Sequence, residues 1–380
     1  MLKGLHLENF KALKDISLDF AKFNVLTGLN STGKTSVLQA LVFLKQSMSR
    51  KEIVYNDYLL RLGDFRETVY VHDTSLPIRV RVTLPCEGDA VAYDVKVMGD
   101  GTAEEFFVNG DRAWWWDSKA PGVLEPYGRL FLSQAASGYG GGEYESSEPS
   151  YRQRAWGFQR FVVNWFENML YLSSNRGFTK YSYPLLAGPP SIEEVSKRAG
   201  DLSLLEEWLS NLILYRINEA KRYPALRKQL EAMSARLSKL GVDISPYVLG
   251  GPSVVIDLTE EDMWVSAVNS GYGVNQSVSS IVLGTLFPPG TLIMIEEPEM
   301  HLHPVMQRIV TGIFAEIANE GKQIVITSHS DHFLQTLREL VNEGTLAKDD
   351  VKVYHFKKVG RETEVSEIEI TEEEALREIF

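Results

Sequence analysis

The sequence has little cysteine and no long apolar run. Cys86 is the single cysteine among 380 residues, so an intrachain disulfide is excluded and a small buried hydrophobe is the plainest interpretation of this residue. No stretch has the apolar length that a membrane-spanning helix needs. The first ten residues carry charges where a secretory signal would be apolar. These absences lead us to expect a cytoplasmic protein without a membrane segment.

Basic residues are also scarce relative to acidic ones. The chain has 39 Lys and Arg against 51 Asp and Glu, which gives a formal net charge of −12. This balance disfavours a protein that coats nucleic acid by charge alone, although a local basic patch stays possible. The hydrophobic content of 44% is enough for one large core or two modest ones.

A phosphate-binding loop is the clearest motif that is present. Residues 28–35 read Gly-Leu-Asn-Ser-Thr-Gly-Lys-Thr, between a short apolar strand at 23–27 and a helical run at 36–44. Gly28 and Gly33 permit the tight loop that turns backbone N–H groups toward phosphates, and the following helix N-terminus favours the same anion. Lys34 would bridge the outer phosphates and Thr35 would ligate magnesium. The residues expected at the nucleotide are Gly28, Asn30, Ser31, Thr32, Gly33, Lys34, Thr35 and Ser36. The alternative is a chance glycine-rich turn, which the flanking strand and helix disfavour.

Two adjacent carboxylates follow a second apolar strand. Residues 292–295 are continuously apolar, as expected of a strand buried on both faces, and Glu296 and Glu297 come directly after them. In open α/β sheets ligands bind at this end of the strands. Glu296 is therefore predicted to support magnesium and Glu297 to orient or deprotonate the attacking water. A solvated acidic turn is the alternative.

His329 follows another apolar strand, at residues 323–327. A neutral imidazole there could hydrogen-bond the γ-phosphate or the water and so sense the bound nucleotide. His301 and His303 also suggest a metal site, but no further ligands at suitable spacing accompany them, so zinc is disfavoured.

A second anion site is indicated at residues 269–276, Asn-Ser-Gly-Tyr-Gly-Val-Asn-Gln, directly before a predicted helix at 277–286. Small residues and a hydroxyl at a helix N-terminus suit a phosphate. One chain holds one triphosphate at its own loop, so the second site indicates a partner subunit's nucleotide as its ligand. The residues expected to act in trans are Ser270, Gly271, Gly273 and Gln276.

The remaining chain predicts a mixed α/β organisation. Alternating apolar residues indicate antiparallel strands at 2–28 and again at 69–71, 78–82 and 91–97, and strand character resumes at 250–258. Residues 117–150 are glycine-rich and polar and predict a mobile loop. The three tryptophans at 114–116 suit core packing or a stacking platform. Leucines at helical spacing predict a short helical pair within 191–240, without sustained heptads. We expect an N-terminal lobe at 1–190, a helical insertion at 191–248 and a C-terminal lobe at 249–380.

These motifs together resemble a known family. Residues 7–11 (Leu-Glu-Asn-Phe-Lys), the signature at 270–276, residues 295–304 and residues 327–330 look like the ABC-type ATPases of the OLD, RecF and SMC group. The resemblance spans both ends of the chain and is strongest to short AAA-labelled bacterial ATPases without long arms, such as ATPase subunits of Septu-type or retron-linked anti-phage systems. It implies an α/β P-loop ATPase head with a mostly parallel core sheet, an N-terminal antiparallel β subdomain and a short helical insertion.

The resemblance also implies roles for particular residues. Two subunits would pair head to tail around two ATP molecules and Mg²⁺, with Lys11 added to the nucleotide contacts. Glu297 would be the catalytic glutamate, His329 the switch histidine and Ser270 the signature serine acting in trans. No glutamine that would serve as a Q-loop is evident near residues 64–66.

Two classes of function remain open at this point. In the first, a nucleotide-driven dimer regulates a separate effector, such as a nuclease, in anti-phage defence; the chain ends roughly 25 residues after the strand at 351–356, which leaves no room for a nuclease of its own. In the second, a RecF-like or SMC-like ATPase binds DNA itself during repair or maintenance. A small-molecule P-loop kinase is disfavoured by the signature and by the adjacent Glu296 and Glu297.

Overall fold

The chain divides into two compact units that interleave along the sequence. The computed structural model describes residues 1–50, 52–86, 88–117, 143–144, 149–260 and 263–370. The first unit comprises Met1–Ala21, Gly28–Met169 and Tyr354–Glu367, and the second comprises Lys22–Thr27, Leu170–Val353 and the residues from Ile368 onward. The predicted mobile loop at 117–150 falls largely outside the described residues, and so do the side chains of the three tryptophans.

The first unit is built on a seven-stranded antiparallel sheet of order β2-β1-β4-β5-β6-β7-β8. Its strands are β1 (Gly4–Phe10), β2 (Leu13–Asp19), β4 (Ile78–Cys86), β5 (Asp89–Met98), β6 (Gly101–Val108), β7 (Asp111–Asp117) and β8 (Glu143–Tyr144). Alternate residues of β4 are buried, as expected of a strand with one face on a core. The predicted antiparallel subdomain is confirmed and is larger than the sequence pattern indicated.

The described residues of the first unit also form the helices α1 (Lys34–Arg50), α2 (Phe65–Thr68) and α3 (Pro149–Glu167). The Asp64 carboxylate accepts a hydrogen bond from Glu67 N–H and caps α2. The strand predicted at 69–71 is wrong, because Tyr70–His72 form a 3₁₀ turn. Val71 is 50% exposed and lies at φ 49°, so its apolar side chain does not face the core that a strand would require.

The second unit contains a parallel sheet. Strands β3 (Phe23–Gly28), β15 (Gln323–Ser328), β14 (Leu292–Glu296) and β9 (Leu170–Leu172) lie side by side in that order, and each neighbouring pair is parallel. All residues of β14 and β15 are buried, which explains their continuous apolar sequence. Strands β16 (Val351–Val359) and β17 (Glu362–Ile368) fall mostly within the first unit. The predicted parallel core is confirmed.

Helices and a smaller antiparallel sheet complete the second unit. The helices are α4 (Ile192–Ser196), α5 (Leu202–Ala220), α6 (Pro224–Ser238), α7 (Tyr272–Leu286), α8 (Pro304–Asn319) and α9 (Asp331–Asn342). The small sheet has the order β10-β12-β11, with β13 paired to β12, and consists of β10 (Tyr183–Pro184), β11 (Val242–Leu249), β12 (Ser253–Glu260) and β13 (Met263–Ser266). The predicted helical pair corresponds to α5 and α6.

The division into continuous lobes at 1–190, 191–248 and 249–380 stays a prediction. Each unit is made of three separate segments of the chain, so the chain crosses between the units more than once. None of the helices within the described ranges combines the length and apolarity required to cross a bilayer.

Candidate nucleotide site

The phosphate loop joins β3 to α1, as its sequence predicts. Gly28 lies at φ 132° and Gly33 at φ 98°, in the region that favours glycine. A side chain at Gly33 would lie 2.7 Å from the Leu13 side chain. Ser31, at φ 62°, adopts the same left-handed conformation without being glycine. The loop is therefore held in a strained conformation of the kind that collects at ligand sites.

Lys34 lies inside this loop. Its ammonium group donates to the carbonyl oxygens of Gly28 at 2.9 Å and of Leu29 at 2.7 Å. The Thr32 hydroxyl donates to Leu29 O at 2.8 Å. A buried ammonium surrounded by loop carbonyls suits a phosphate ligand, because a bound anion would give the charge a stronger partner than neutral carbonyls do.

Lys11 lies in the first unit close to α1. Its ammonium group donates to Gln39 Oε1 at 2.7 Å, and its backbone lies at φ 54°. It also lines a cavity of about 420 Å³ together with Tyr70, Lys358 and Arg361. Ala12, which also lines this cavity, lies 3.6 Å from a side-chain position built at Gly33 in the phosphate loop.

The carboxyl ends of the parallel strands bring the other predicted residues to one edge of the second unit. Glu296 ends β14, Ser328 ends β15 and Leu172 ends β9, and each strand is in parallel register with its neighbour. Strand β3 lies beside β15 and runs directly into the phosphate loop. The rule that ligands bind at this edge of α/β sheets therefore applies here.

Glu296 is buried, at 8% exposure. One carboxylate oxygen accepts from the Tyr171 hydroxyl at 2.8 Å, and the other accepts from Ser174 N–H at 3.4 Å. Burial raises the pKa of Glu296, and the nearby Glu297 charge acts in the same direction. A carboxylate that is costly to ionise in isolation suits a site that a divalent cation would share, and oxygen is the ligand type that Mg²⁺ prefers.

Glu297 and His329 lie together. His329 Nε2 is 3.2 Å from Glu297 Oε1, and both side chains are about one-third exposed, at 31% and 33%. Glu297 has φ 42°, a conformation that costs a non-glycine residue about 1 kcal/mol or more. The two groups predicted to act on the attacking water thus lie within 3.2 Å of each other, at a residue whose backbone is strained.

Glu299 belongs to the same edge but was not predicted as a site residue. It is 7% exposed, and its Oε1 accepts from the Ser328 hydroxyl at 2.7 Å and from His329 N–H at 2.8 Å. Burial raises the pKa of Glu299. This carboxylate holds the backbone of the predicted switch histidine.

Arg176 and Tyr171 were also missed. Arg176 is 2% exposed and donates to the backbone oxygens of Ser173, Glu296 and Glu297 at 2.7, 2.6 and 3.0 Å. The signal that the sequence offered was a polar run, Ser-Ser-Asn-Arg at 173–176, directly after an apolar strand.

The predicted signature overlaps the beginning of α7. This helix begins at Tyr272 rather than at 277. Gly273 therefore lies within the helix, where it permits close packing: a side chain there would lie 2.5 Å from His301 O. Gly271 is exposed and Ser270 is partly exposed. Gln276 is 2% exposed, so its side chain lies in the interior of this chain.

His301 and His303 have structural roles near this helix. The His301 ring packs edge-on against Tyr272 at 4.9 Å, and His303 Nδ1 accepts from Val305 N–H at 3.3 Å as the N-cap of α8. Within the described ranges no group of three or more His, Cys, Asp or Glu side chains is arranged to hold a metal ion.

Comparison with known families gives one match over most of the chain. The model of the family described as AAA ATPase domain matches residues 1–102 and 196–334. The OLD nuclease of Thermus scotoductus is 23% identical over 362 residues, which cover 89% of this chain and 60% of the relative. The chain thus spans 60% of the length of that curated relative. The predicted resemblance to AAA-labelled ATPases and to OLD proteins is confirmed, and the resemblance to anti-phage systems stays a prediction.

Comparison with solved structures supports the fold. An SMC head bound to the C-terminal winged-helix domain of ScpA superposes with a TM-score of 0.54 at 16% identity, over 97% of this chain and 98% of that one. The SMC head domain of Thermotoga maritima gives a TM-score of 0.47 at 11% identity, over 97% and 99% of the two chains. The first likeness shows an ABC-type P-loop ATPase head fold.

Proposed function

Because this chain belongs to the AAA ATPase domain family, we propose that it binds ATP and hydrolyses it to ADP and phosphate. The observation that carries this proposal is the contact between Glu297 and His329 at the end of two buried parallel strands. Adjacent strand β3 leads into a complete phosphate loop. A base, a phosphate sensor and a phosphate cradle are the parts that phosphoryl transfer to water requires.

The phosphate loop would bind the triphosphate through its backbone N–H groups, with the Lys34 ammonium released from the loop carbonyls onto the phosphates. The Thr35 hydroxyl and the Glu296 carboxylate are the oxygen groups that we assign to magnesium. When bound, that ion neutralises charge on the phosphate oxygens. The cavity beside Lys11 is placed to accept the nucleoside.

Glu297 would orient or deprotonate the attacking water. His329 would contact the γ-phosphate or that water, since its imidazole already lies 3.2 Å from the Glu297 carboxylate. Glu299 would act indirectly by fixing His329 through its backbone N–H.

We further assign the exposed start of α7 to the nucleotide of a second copy of this chain, so that two copies enclose two ATP molecules. Ser270 and Gly271 are accessible there, and the helix N-terminus favours an anion. Buried Gly273 would support this surface from beneath, and buried Gln276 would not contact the ligand directly.

Replacement of Glu297 by Gln tests hydrolysis and assembly together. This variant should retain ATP binding, lose ATP turnover and accumulate as a dimer or a multiple of it with ATP. Light scattering with ATP and with ADP would measure the mass, and Lys34→Ala is the control that should stay unassembled with either nucleotide. A Glu297→Gln chain whose mass is the same with ATP, ADP and no nucleotide would contradict the sandwich dimer.

We propose that the ATPase regulates a separate effector, a nuclease, in anti-phage defence. The support is the similarity to a relative named OLD nuclease, of which this chain covers 60%, together with the resemblance to defence ATPases. Purification from native cells with Glu297→Gln in place, followed by mass analysis, should yield a stoichiometric nuclease. This role would be contradicted if the trapped ATPase were recovered without a second protein in an equal molar amount.

A DNA-binding ATPase is a second candidate, and one surface favours it. The turn between α5 and α6 and the first turns of α6 carry Lys221, Arg222, Arg227 and Lys228, all exposed, with Tyr223 at 58% exposure. Four cations beside an exposed aromatic ring suit a phosphate backbone, although the chain as a whole is acidic.

Titration of DNA at several salt concentrations distinguishes the two candidates. If the surface binds DNA, the Lys221→Glu/Arg222→Glu double variant should lose most of the affinity and flatten the salt dependence. Lys14→Glu/Arg308→Glu reverses two exposed cations elsewhere and is the matched control. Equal affinities for the two double variants would remove support for this candidate.

A further inference from the structure

Arg176 is a buried arginine that contacts the backbone at the carboxyl end of β14. Arg176 donates to Glu296 O at 2.6 Å and to Glu297 O at 3.0 Å. From the other side, Thr327 O accepts from Glu297 N–H at 2.9 Å. The left-handed turn at Glu297 is therefore held on one side by a guanidinium and on the other by β15.

Burial of the Arg176 charge costs free energy, which argues that this residue has a function. Burial lowers the pKa of Arg176 to about 10, while the charges of Glu299, Glu296 and Glu297 act in the opposite direction. A buried ion group of this kind is often replaceable by apolar side chains without loss of stability. A planar guanidinium can donate hydrogen bonds to three backbone oxygens at once, and no apolar side chain can do this.

The segment that carries Arg176 also contacts the signature helix. Phe178 N–H donates to Asn275 Oδ1 at 2.7 Å, and Asn275 Nδ2 donates to Phe178 O at 2.8 Å and to Ala267 O at 2.9 Å. Gly177 has φ 117°, and a side chain there would lie 2.9 Å from Asn275 Oδ1. Residues 173–178, the connecting segment, thus join the first turns of α7 to the turn at Glu297.

We propose that Arg176 is a positioning residue, and that the connecting segment makes the geometry of Glu297 depend on the start of α7. The inference rests on the proposed ATPase function and deepens it. When the start of α7 engages the nucleotide of a second copy, a displacement of Asn275 is passed through Phe178 and Arg176 to the backbone of Glu297. Hydrolysis at each ATP site would then depend on whether the other site is occupied.

The first test compares two buried arginines. Arg176→Lys keeps the charge but cannot span three carbonyls, so we expect kcat for ATP to fall roughly tenfold or more with KM within about threefold of wild type. Arg236 is the matched control, since it is also buried and donates to Thr285 Oγ1, away from Glu297. Arg236→Lys should leave kcat within about twofold of wild type even where its melting temperature falls.

The second test perturbs the connecting segment without touching Arg176. Gly177→Ala and Gly251→Ala carry the same backbone penalty, because the two glycines lie at φ 117° and 113°, but the second has nothing within 4 Å of the new methyl group. Gly177→Ala should lower kcat and reduce the Hill coefficient for ATP toward one, whereas Gly251→Ala should change neither. The Arg176→Lys/Gly177→Ala double variant should lose clearly less kcat than the product of the single losses, since both act on one path.

The outcomes separate this inference from the proposed function. A wild-type chain that does not hydrolyse ATP would overturn both. An active wild type with Arg176→Lys at full kcat, or with losses in the double variant that multiply, would overturn the positioning role alone. Equal changes in Gly177→Ala and Gly251→Ala would overturn the connection to α7.

Discussion

At the scale of single residues, two buried carboxylates near Glu297 are held by different neutral donors. Glu296 accepts from Tyr171 and Ser174, and Glu299 accepts from Ser328 and His329. Burial raises the pKa of both groups despite these hydrogen bonds. Each carboxylate is therefore energetically expensive to keep ionised, and the hydrogen bonds fix where its oxygens lie.

The buried Glu299 should make the stability of the protein depend on pH. A carboxyl whose pKa is raised by folding stabilises the folded state fully below its unfolded pKa, here 4.5, and loses that contribution as the pH rises through the folded value. Glu299→Gln removes this titration, and its amide oxygen can still accept from Ser328 and His329. We expect the melting temperature of the variant, relative to wild type, to rise as the pH increases from about 4.5 through the neutral range.

Thermal unfolding across that pH range checks the prediction. Glu343→Gln is the control, because it makes the same replacement at an exposed residue. A Glu299→Gln difference that does not vary with pH, or that falls as the pH rises, would show that Glu299 is not protonated more readily in the folded state.

Removal of the Tyr171 hydroxyl should weaken the role of Glu296. Tyr171→Phe deletes a 2.8 Å hydrogen bond between two buried groups, so the remaining carboxylate is harder to ionise and its oxygen is less well placed. The loss of a hydrogen bond to a buried charged group costs about 1–3 kcal/mol. We expect kcat to fall about tenfold, with a higher magnesium concentration needed for half-maximal rate. An unchanged magnesium dependence would contradict this role for Tyr171.

At the scale of elements, two helical glycines should respond in opposite directions to alanine. Alanine is favoured over glycine within helices by about 1 kcal/mol. Gly312 in α8 has nothing within 4 Å of a new methyl group, whereas at Gly273 in α7 that group would lie 2.5 Å from a backbone oxygen of His301. Gly312→Ala should therefore stabilise by about 0.5–1 kcal/mol and Gly273→Ala should destabilise by about 2 kcal/mol.

Urea unfolding of the two variants measures these changes. The slope of unfolding free energy against urea should stay at the wild-type value in both, since neither substitution alters the surface exposed on unfolding. Stabilisation by Gly273→Ala would mean that α7 and the turn at His301 can separate at little cost.

Elements with a local signal could be predicted from sequence, and elements defined by distant contacts could not. Strands β14 and β15 were predictable because both are buried on two faces and read as continuous apolar runs before polar residues. Strand β9 has three residues, Leu170–Leu172, too few to show a period. Tyr171 and Arg176 beside it were therefore missed, and their partner Glu296 lies 125 and 120 residues away.

Burial explains the other differences between prediction and structure. The sequence places Glu299 after Pro298 in an acidic turn, and nothing local distinguishes a buried carboxylate from a solvated one there. Glycines at 271 and 273 indicated a loop, but Gly273 is required by packing against His301 and lies within α7. Gln276 matched the signature pattern, yet the helix turns its side chain inward.

At the scale of the whole molecule, the proposed ATP site has two parts, and each part comes from a different copy of the chain. Lys34 would serve the nucleotide bound by its own chain, and Ser270 would serve the nucleotide of the other. A closed two-fold dimer then has two equivalent composite sites. A variant in either part should inactivate both sites of a homodimer. A Lys34 variant affects the nucleotide bound by its own chain, and a Ser270 variant affects the nucleotide bound by the other chain.

A mixture of two inactive variants should therefore recover activity. In a heterodimer of Lys34→Ala and Ser270→Arg, one site pairs an intact Lys34 with an intact Ser270, and the other site carries both defects. A mixed dimer can close around the one ATP that the Ser270→Arg chain binds, so the mixture should hydrolyse ATP faster than either variant alone. Coupling between the two sites should keep the rate below about one quarter of that of wild type, the value for random pairing and independent sites. Steady-state ATPase assays of each variant alone and of the mixture measure this recovery. A mixture of Lys34→Ala with Glu297→Gln is the matched control. Both of its defects affect the same part of the site, so no intact site can form. Recovery in the control as well, or activity in the test mixture no higher than the mean of the two variants alone, would show that Ser270 and Lys34 do not act on one nucleotide from separate chains.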